Sequence, residues 1–257
     1  MSKISIFNST TVPDREEKAA TCDPEAFRIV VESRRSVRVY TGEPIPEDIM
    51  RECLRLALLA PNSSNLQSWQ FFWVRNPEKK ADLVRYCLSQ PAAATAQELI
   101  VAVARPDFWR MNRQRMLDII AKKDPEKVKA VKDYYQRIVP LAYNQGPLGL
   151  FGLAKKLILA FRAISKPSPR GPASHADMRV WSHKTTALAC ENLMLALRAY
   201  GFDSCPMEGI DPVRIRKMLG LPRPAEVCMV ISAGKRAPNG VYGSRIRFEP
   251  SDFIKEI

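Results

Sequence analysis

Three stretches of this chain carry residue types whose spacing permits chemistry. At 34–38 the sequence reads RRSVR, which gathers Arg34, Arg35 and Arg38 around the hydroxyl of Ser36. Guanidinium forks match phosphate oxygens through bidentate, charge-assisted hydrogen bonds, so the cluster suits a terminal phosphate. Near the far end, Lys235 and Arg236 in GKR, with Arg245 and Arg247 in GSRIRF, are candidates to complete the same clamp. Between them, LLAPNSSNLQSW (58–69) leaves an apolar, helix-like run at Pro61 and continues through Asn62, Ser63, Ser64, Asn65 and Gln67 to Trp69. Amide side chains donate and accept, which is what a heterocycle with alternating carbonyls and ring nitrogens requires. Each signal is weak alone, because paired arginines at a helix end commonly answer the macrodipole and Asn and Ser after a helix commonly form a turn.

Other chemistries find little support. The chain has no GxSxG elbow and no GxxxxGK[ST] loop. Its two histidines, His175 and His183, are wrongly spaced for a helical metal pair and read as surface or helix-end residues. Six cysteines (Cys22, Cys53, Cys87, Cys190, Cys205, Cys228) show no CxxC, so they read as reduced thiols, mostly small core residues. No metal centre is expected. Gly146, Gly149 and Gly152 do not make GxGxxG and follow no strand, which gives no support for a dinucleotide-binding fold.

The elements that must position these residues follow from periodicity. Asp23 and Pro24 open a helix through Arg34, and apolar Ile49, Met50, Cys53, Leu54, Ala57 and Leu58 predict a second that ends at Pro61. WQFFWVR (69–75) and ELIVAVARP (98–106) read as strands around a helix at 78–88. Ser174 and Asp177 resemble a capping box that opens a long helix to Gly201; DSCPMEG is a short segment, PVRIRKML a small helix, and EVCMVISAG (226–234) a strand. Helices and strands mix without a repeated βα unit, which predicts an α+β fold.

A composition of 46% hydrophobic and 26% charged residues is ordinary globular material, but the net charge of +13 is not. Much of it lies between Arg105 and Arg179, where a solvated helical face is preferred to a nucleic-acid site because stacking aromatics are few. No nucleic-acid partner is expected. Within this region LAKKLILAFRAI is either an amphipathic helix meeting a membrane surface or a partner, or a helix covering the core; the core or subunit-interface reading ranks first. Residues 1–20 lack a secretory apolar stretch, and no run reaches the ~18 apolar residues of a membrane span, so a cytoplasmic protein is expected.

Taken in order, RRSVR, PEDIMRECLRLALLAPNSSNLQSWQFFWV, PMEG (206–209) and the arginine-bearing tail resemble the nitroreductase family of flavin mononucleotide (FMN) enzymes. That family pattern is an Arg-x-Ser-x-Arg/Lys opening, an APSxxNxQPW loop and a Pro-x-Glu-Gly turn after the long helix. The match spans roughly residues 24–105 and 175–250. Asn62 replaces the usual Ser after Pro61, and Ser68 stands where Pro is common before Trp69. The resemblance implies one nitroreductase-like FMN-binding domain over 1–257, with a central, mostly antiparallel sheet flanked by helices and a basic helical insert at roughly 106–174. It implies a homodimer of intertwined subunits, with flavin sites built from both chains and the apolar length of 181–200 buried against the partner.

By the same resemblance, Asn65 would bond the isoalloxazine edge, with Ser63, Ser64 and Gln67 nearby. Arg34, Arg35, Ser36 and Arg38 would hold the phosphate and ribityl chain, with Arg245 joining at the phosphate and Lys235 or Arg247 sharing it. Met207, Glu208 and Gly209 match the turn beside the reactive N5. No side chain is expected to be catalytic, since the flavin carries the chemistry. NADPH or NADH would reduce FMN at N5 and leave, and a small-molecule oxidant such as a nitroaromatic or quinone would follow. The other reading is a flavin-binding protein for storage, sensing or partner-driven reduction. The insert leaves substrate size and electron donor open.

Overall fold

The protein was analysed as a computed structural model that describes residues 18–257. The expectation for residues 1–20 therefore falls almost wholly outside the described residues. Helix α1 (Pro24–Ser33) starts where Asp23 caps the Glu25 amide at 2.9 Å, with Pro24 in its first turn. Helix α2 (Glu47–Ala57) turns Met50, Cys53 and Ala57 inward, and the chain then leaves it toward Pro61. Strand β1 (Trp69–Trp73), α3 (Pro77–Tyr86), the single turn α4 (Pro91–Ala94) and β2 (Glu98–Ala104) follow.

The region from 106 to 174 is helical: α5 (Trp109–Ala121), α6 (Pro125–Asp133), a π turn at Tyr134–Ile138, α7 (Val139–Tyr143) and α8 (Leu150–Ser165). Helix α9 (His175–Ala199) begins with the expected cap. The Asp177 amide donates to Ser174 Oγ at 3.0 Å and the Asp177 carboxylate accepts from the Ala173 amide at 2.8 Å. It ends before Gly201, whose φ of +84° suits glycine. Strand β3 (Asp203–Met207), α10 (Pro212–Met218), β4 (Glu226–Gly234) and α11 (Pro250–Phe253) complete the chain.

The strands form one antiparallel sheet in the order β1-β2-β4-β3. Strand β2 lies inside it, and its residues from Leu99 to Ala104 are all buried because helices cover both faces. On one face Leu99, Val101, Val103 and Val230 meet Leu83 at α3 and Ile215 of α10. On the other, Ile100, Ala102, Met229 and Ile231 meet α2 and α9 through Met50, Cys53, Leu193 and Leu197. A third cluster forms where the 106–174 region packs Trp109, Tyr135, Val139 and Tyr143 around Leu66 and Met178. No helix among the described residues is long and apolar enough to cross a membrane, and no group of metal-ligating side chains occurs among them.

Three readings need correction. Residues 203–207, within what reads only as a short segment, are an edge strand; Pro206 hides it because proline lacks a ladder donor, yet it is tolerated at a sheet edge. The apolar length of α9 is largely buried by its own chain, at Ala189, Cys190, Leu193, Met194, Ala196 and Leu197, leaving Val180 and Leu188 as its exposed large apolar residues. Helix α8 does not cover the core, since it turns its apolar positions outward and Gly152 and Lys155 inward.

The buried Asp203 carboxylate ties the sheet edge to its surroundings. It accepts from Arg198 at 3.0 Å and from Arg236 at 2.6 and 3.1 Å, and Arg236 also donates to the Ser33 carbonyl at the end of α1. Replacing Asp203 with Ala should cost on the order of 2–4 kcal/mol, reduced from the fully buried case because both arginines reach solvent. Chemical denaturation measures this as a lower midpoint at unchanged slope; an unchanged midpoint would exclude a structural role for this ion cluster.

Candidate functional site

Residues 34–38 leave α1 in an extended conformation and are stitched to two neighbours. The Val37 amide donates to the Ser204 carbonyl at 3.2 Å, and the Arg38 amide donates to the Gly240 carbonyl at 2.7 Å. Val37 is fully buried and anchors the segment. At Gly240 an added Cβ would lie 2.6 Å from the Val39 carbonyl oxygen, so a larger residue cannot enter the turn without moving backbone. These contacts bring 34–38 against 241–247 and enclose a pocket of about 230 Å³ lined by Arg34, Arg35, Ser36, Arg38, Arg245 and Arg247, with Val241, Tyr242, Ser244 and their neighbours.

Within this pocket Arg35 donates to the Gly243 carbonyl at 2.5 Å, and Arg245 donates to the Arg34 carbonyl. Arg38 lies 5.5 Å from the Tyr242 ring centroid. Arg34 has a long ion pair, 3.7 Å, with the half-exposed Glu191. The Arg245 guanidinium is held below its ordinary value, first by desolvation and then by the charges of Arg247, Arg35 and Arg34. A cluster of cations that repel one another is relieved by an anion, and a phosphate fits both the charge and the donor geometry.

The loop after α2 is held in an unfavourable backbone shape. Ser64, Asn65 and Gln67 have φ of 57°, 47° and 45°, a region where Asn is at home but Ser and Gln are not. Strain of about 1 kcal/mol or more per residue persists only where the surroundings enforce it. Here the Gln67 amide donates to Asn62 Oδ1 and Asn112 Nδ2 to the Leu66 carbonyl, both at 2.8 Å, while Leu66 is fully buried. The Tyr135 hydroxyl donates to the Ser64 carbonyl at 2.8 Å. Ser63 Oγ pairs with the Tyr143 hydroxyl at 2.7 Å, and Ser64 Oγ with those of Tyr134 at 2.6 Å and Tyr143 at 3.0 Å. Burial pushes the Tyr143 phenol upward against the hydrogen bonds of Ser63 and Ser64, which keeps it neutral at pH 7.

This clamp leaves the amides available. Asn65 Oδ1 accepts from Gln67 Nε2 at 3.3 Å, and both residues border a groove of about 460 Å³ with walls of Leu54, Leu58, Trp69, Phe71, Phe108 and Met116. Apolar walls with a few convergent amides suit a flat heterocycle. The groove and the arginine pocket share no lining residue within one chain.

The third expected element lies at the end of β3, where Met207 is buried and Glu208 and Gly209 are exposed; the Gly209 carbonyl accepts from Gln90 at 3.2 Å. Lys235 is not brought to the arginine pocket. Its Nζ lies 5.8 Å from the Phe202 ring centroid, and its carbonyl accepts from the Thr41 amide. Arg236, the other GKR candidate, is committed to Asp203. Sequence reasoning did not single out Tyr134, Tyr135 and Tyr143, because a π turn sets the directions of the first two and the partners of all three lie some seventy residues away or more.

The six cysteines are free and four of them, Cys53, Cys87, Cys190 and Cys205, are buried as expected, whereas the reading of His183 changes. His183 lies inside α9 rather than at an end, and its Nε2 is 3.0 Å from Glu226 Oε2. The partly exposed Cys228 falls where β4 gains one residue against β2, between the pairs Ala102↔Met229 and Val103↔Val227, a bulge that turns it toward α9. There hydrogen bonds, first with Cys190 and then with His183, pull its thiol below the ordinary value, whereas burial pushes Cys53 and Cys87 up to about 12. Iodoacetamide at pH 7 should therefore label Cys228 well ahead of Cys53 and Cys87, and His183→Gln, which removes a group favouring the thiolate, should move the labelling profile up by about one pH unit. Peptide mass spectrometry reads both, and an unmoved profile would show that His183 does not act on the thiol.

Comparison with known proteins places this geometry. A model of the nitroreductase family matches residues 31–235. Among curated proteins, a Thermus thermophilus protein named NADH dehydrogenase is 29% identical over 216 residues, 84% of this chain and 89% of its own length. A Bacillus subtilis protein named as a candidate NAD(P)H nitroreductase is 28% identical over 232 residues, covering 90% of this chain and 96% of that protein. Among solved structures, a nitroreductase-like protein of Exiguobacterium sibiricum in complex with FMN superposes with a TM-score of 0.66 at 24% identity, over 93% of this chain and 99% of its own. With its helix-flanked antiparallel sheet and the motif residues at one sheet edge and in the clamped loop, the chain belongs to the nitroreductase family of oxidoreductases.

Proposed function

We propose that the protein is an FMN-dependent NAD(P)H oxidoreductase that works as a homodimer. The observation that carries this reading is the arginine pocket, where Arg34, Arg35, Arg38, Arg245 and Arg247 converge with Ser36 on a space fitted to a phosphate. FMN held there would supply two-electron chemistry between NADPH or NADH and an oxidant such as a nitroaromatic or quinone. The FMN held by the Exiguobacterium sibiricum protein of the same fold supports the choice of flavin.

The chain's own part is to bind, orient and exclude water. Arg34, Arg35 and Arg38, with Arg245 and Ser36, neutralise and orient the phosphate. Asn65 and Gln67 offer donors and acceptors to the ring edge, and Met207, Glu208 and Gly209 run beside it. Tyr143, Tyr134 and Tyr135 hold the loop rigid over this contact, so little ordering remains to be done on binding. We assign no side chain to proton transfer.

Two features favour the dimer. The arginine pocket and the amide groove are separate within one chain, so a second copy is needed to bring a loop to the pocket. Helix α1 has no buried residue and exposes Phe27 and Ile29, while the tail exposes Ile246, Phe248, Phe253 and Ile254. Apolar surface of that extent is commonly covered by a partner subunit. With its free thiols a reducing compartment such as the cytoplasm suits the protein.

The test is an absorbance spectrum of the purified protein with anaerobic addition of NADPH and then NADH, beside light scattering for mass. Flavin bands that bleach on one addition identify the donor; bands that persist favour a storage or partner-reduced flavoprotein. Replacing Arg34 and Arg38 together with Ala should weaken FMN retention about a hundredfold or more, as two charge-assisted contacts are lost. Gly240→Ala should weaken it too by separating the two halves of the pocket. A double variant that purifies with a full complement of flavin would sink the assignment.

A further inference from the structure

Helix α8 is inverted relative to an ordinary surface helix. Its outward face presents Leu150, Leu153, Leu157, Ile158, Phe161 and Ile164, each more than half exposed. Its inward face is fixed by small and polar residues. A Cβ on Gly152 would lie 2.5 Å from the Ala173 carbonyl oxygen, so only glycine allows this close approach. The Lys155 ammonium is turned in and donates to the carbonyls of Ala142, Leu141 and Asn144 at 2.6, 3.3 and 3.4 Å, which satisfies the end of α7. Burial lowers the Lys155 ammonium below its ordinary value, as its withdrawal from water requires. These contacts set the rotation of α8, and the apolar face is outward as a consequence.

The charge around this face has one sign. At 100° per residue, Lys156 and Arg162 fall on opposite flanks of the apolar stripe, and exposed Lys166 and Arg170 follow the helix. No Asp or Glu occurs between Asp133 and Asp177. A two-fold contact of this face with its copy would set these cations beside cations with no carboxylate from the segment to answer them. An anionic lipid surface answers both features, since it takes the apolar side chains among its acyl chains and the lysine and arginine heads at its phosphates. With sixteen residues the helix is about 24 Å long, enough to lie in the interface plane.

We propose that α8 is an interfacial helix that docks the protein on an anionic lipid surface. The proposal is independent of the flavin reading, because binding to vesicles needs no turnover.

The experiment sediments the purified full chain with vesicles of phosphatidylcholine alone, or with roughly a third phosphatidylglycerol, across a salt series. The chain is expected to pellet with the anionic vesicles and to remain in solution with the neutral ones. Leu157→Ser with Phe161→Ser should reduce binding about tenfold or more while leaving the flavin spectrum unchanged, as the exposed side chains support no core. Lys156→Gln with Arg162→Gln should reduce it by about the same factor and flatten the salt dependence. Light scattering of the apolar variant separates the rival occupant. Equal behaviour with both vesicles, binding indifferent to the apolar variant, or a halved mass for that variant would each overturn the proposal, the last by showing that the face meets another subunit.

Discussion

The Asp203 carboxylate is the contact on which most of the architecture depends. A buried carboxylate requires cationic partners, because desolvation would otherwise outweigh the packing around it. Asp203 has two, Arg198 from the last turn of α9 and Arg236 just beyond β4. Satisfying it fixes where the long helix ends, places β3 at the sheet edge, and through Arg236 holds the Ser33 carbonyl where α1 stops. The extended 34–38 segment leaves from that point, so the register of Arg34, Arg35 and Arg38 along the pocket is set by a charge outside it. The arginines thus divide by place: those at 198 and 236 neutralise the interior, while those at 34, 35, 38 and 245 line the pocket.

A second constraint works from the opposite side of the molecule. The 62–67 loop holds three non-glycine residues at positive φ, and the region from 106 to 174 supplies the groups that keep it there. Without Tyr134, Tyr135, Tyr143 and Asn112 the loop would be free to relax toward an ordinary turn, and Asn65 and Gln67 would lose their common orientation. The basic region is therefore more than a cover, since part of it is the second wall of the amide groove and part packs around Leu66. Its last helix has a different character, with polar contacts inward and apolar ones outward, which separates α8 from the packing duties of α5, α6 and α7.

The fold itself is shared with proteins of low sequence identity. Similarity near 24 to 29% identity extends over most of the chain, and the fold superposes with a TM-score of 0.66. What such identity preserves is a pattern of buried faces and backbone shapes, because cores tolerate many apolar exchanges if volume and patterning are kept.

Much was determined by the sequence itself. Local signals marked the elements around the sheet: the Asp23 and Ser174 caps, Pro61 after α2, the branched and aromatic runs of β1, β2 and β4, and the periodicity of α9. These are short-range effects of hydrogen bonding and side-chain shape, so a single chain reveals them. The cationic character of RRSVR was legible for the same reason, since guanidinium chemistry travels with the residue. The tertiary structure decided what depends on distant neighbours. Pro206 masked β3, which exists because β4 presents an open edge. Of the tail cations, packing gave Arg245 to the pocket and Arg236 to Asp203, and turned Lys235 toward Phe202. The apolar run of α8 read as a helix at the core or a subunit interface, but the close approach at Gly152 and the capture of Lys155 by carbonyls rotate it away from the core. Which face of a helix is buried depends on the surface it meets, and that surface is assembled from residues far away in the chain.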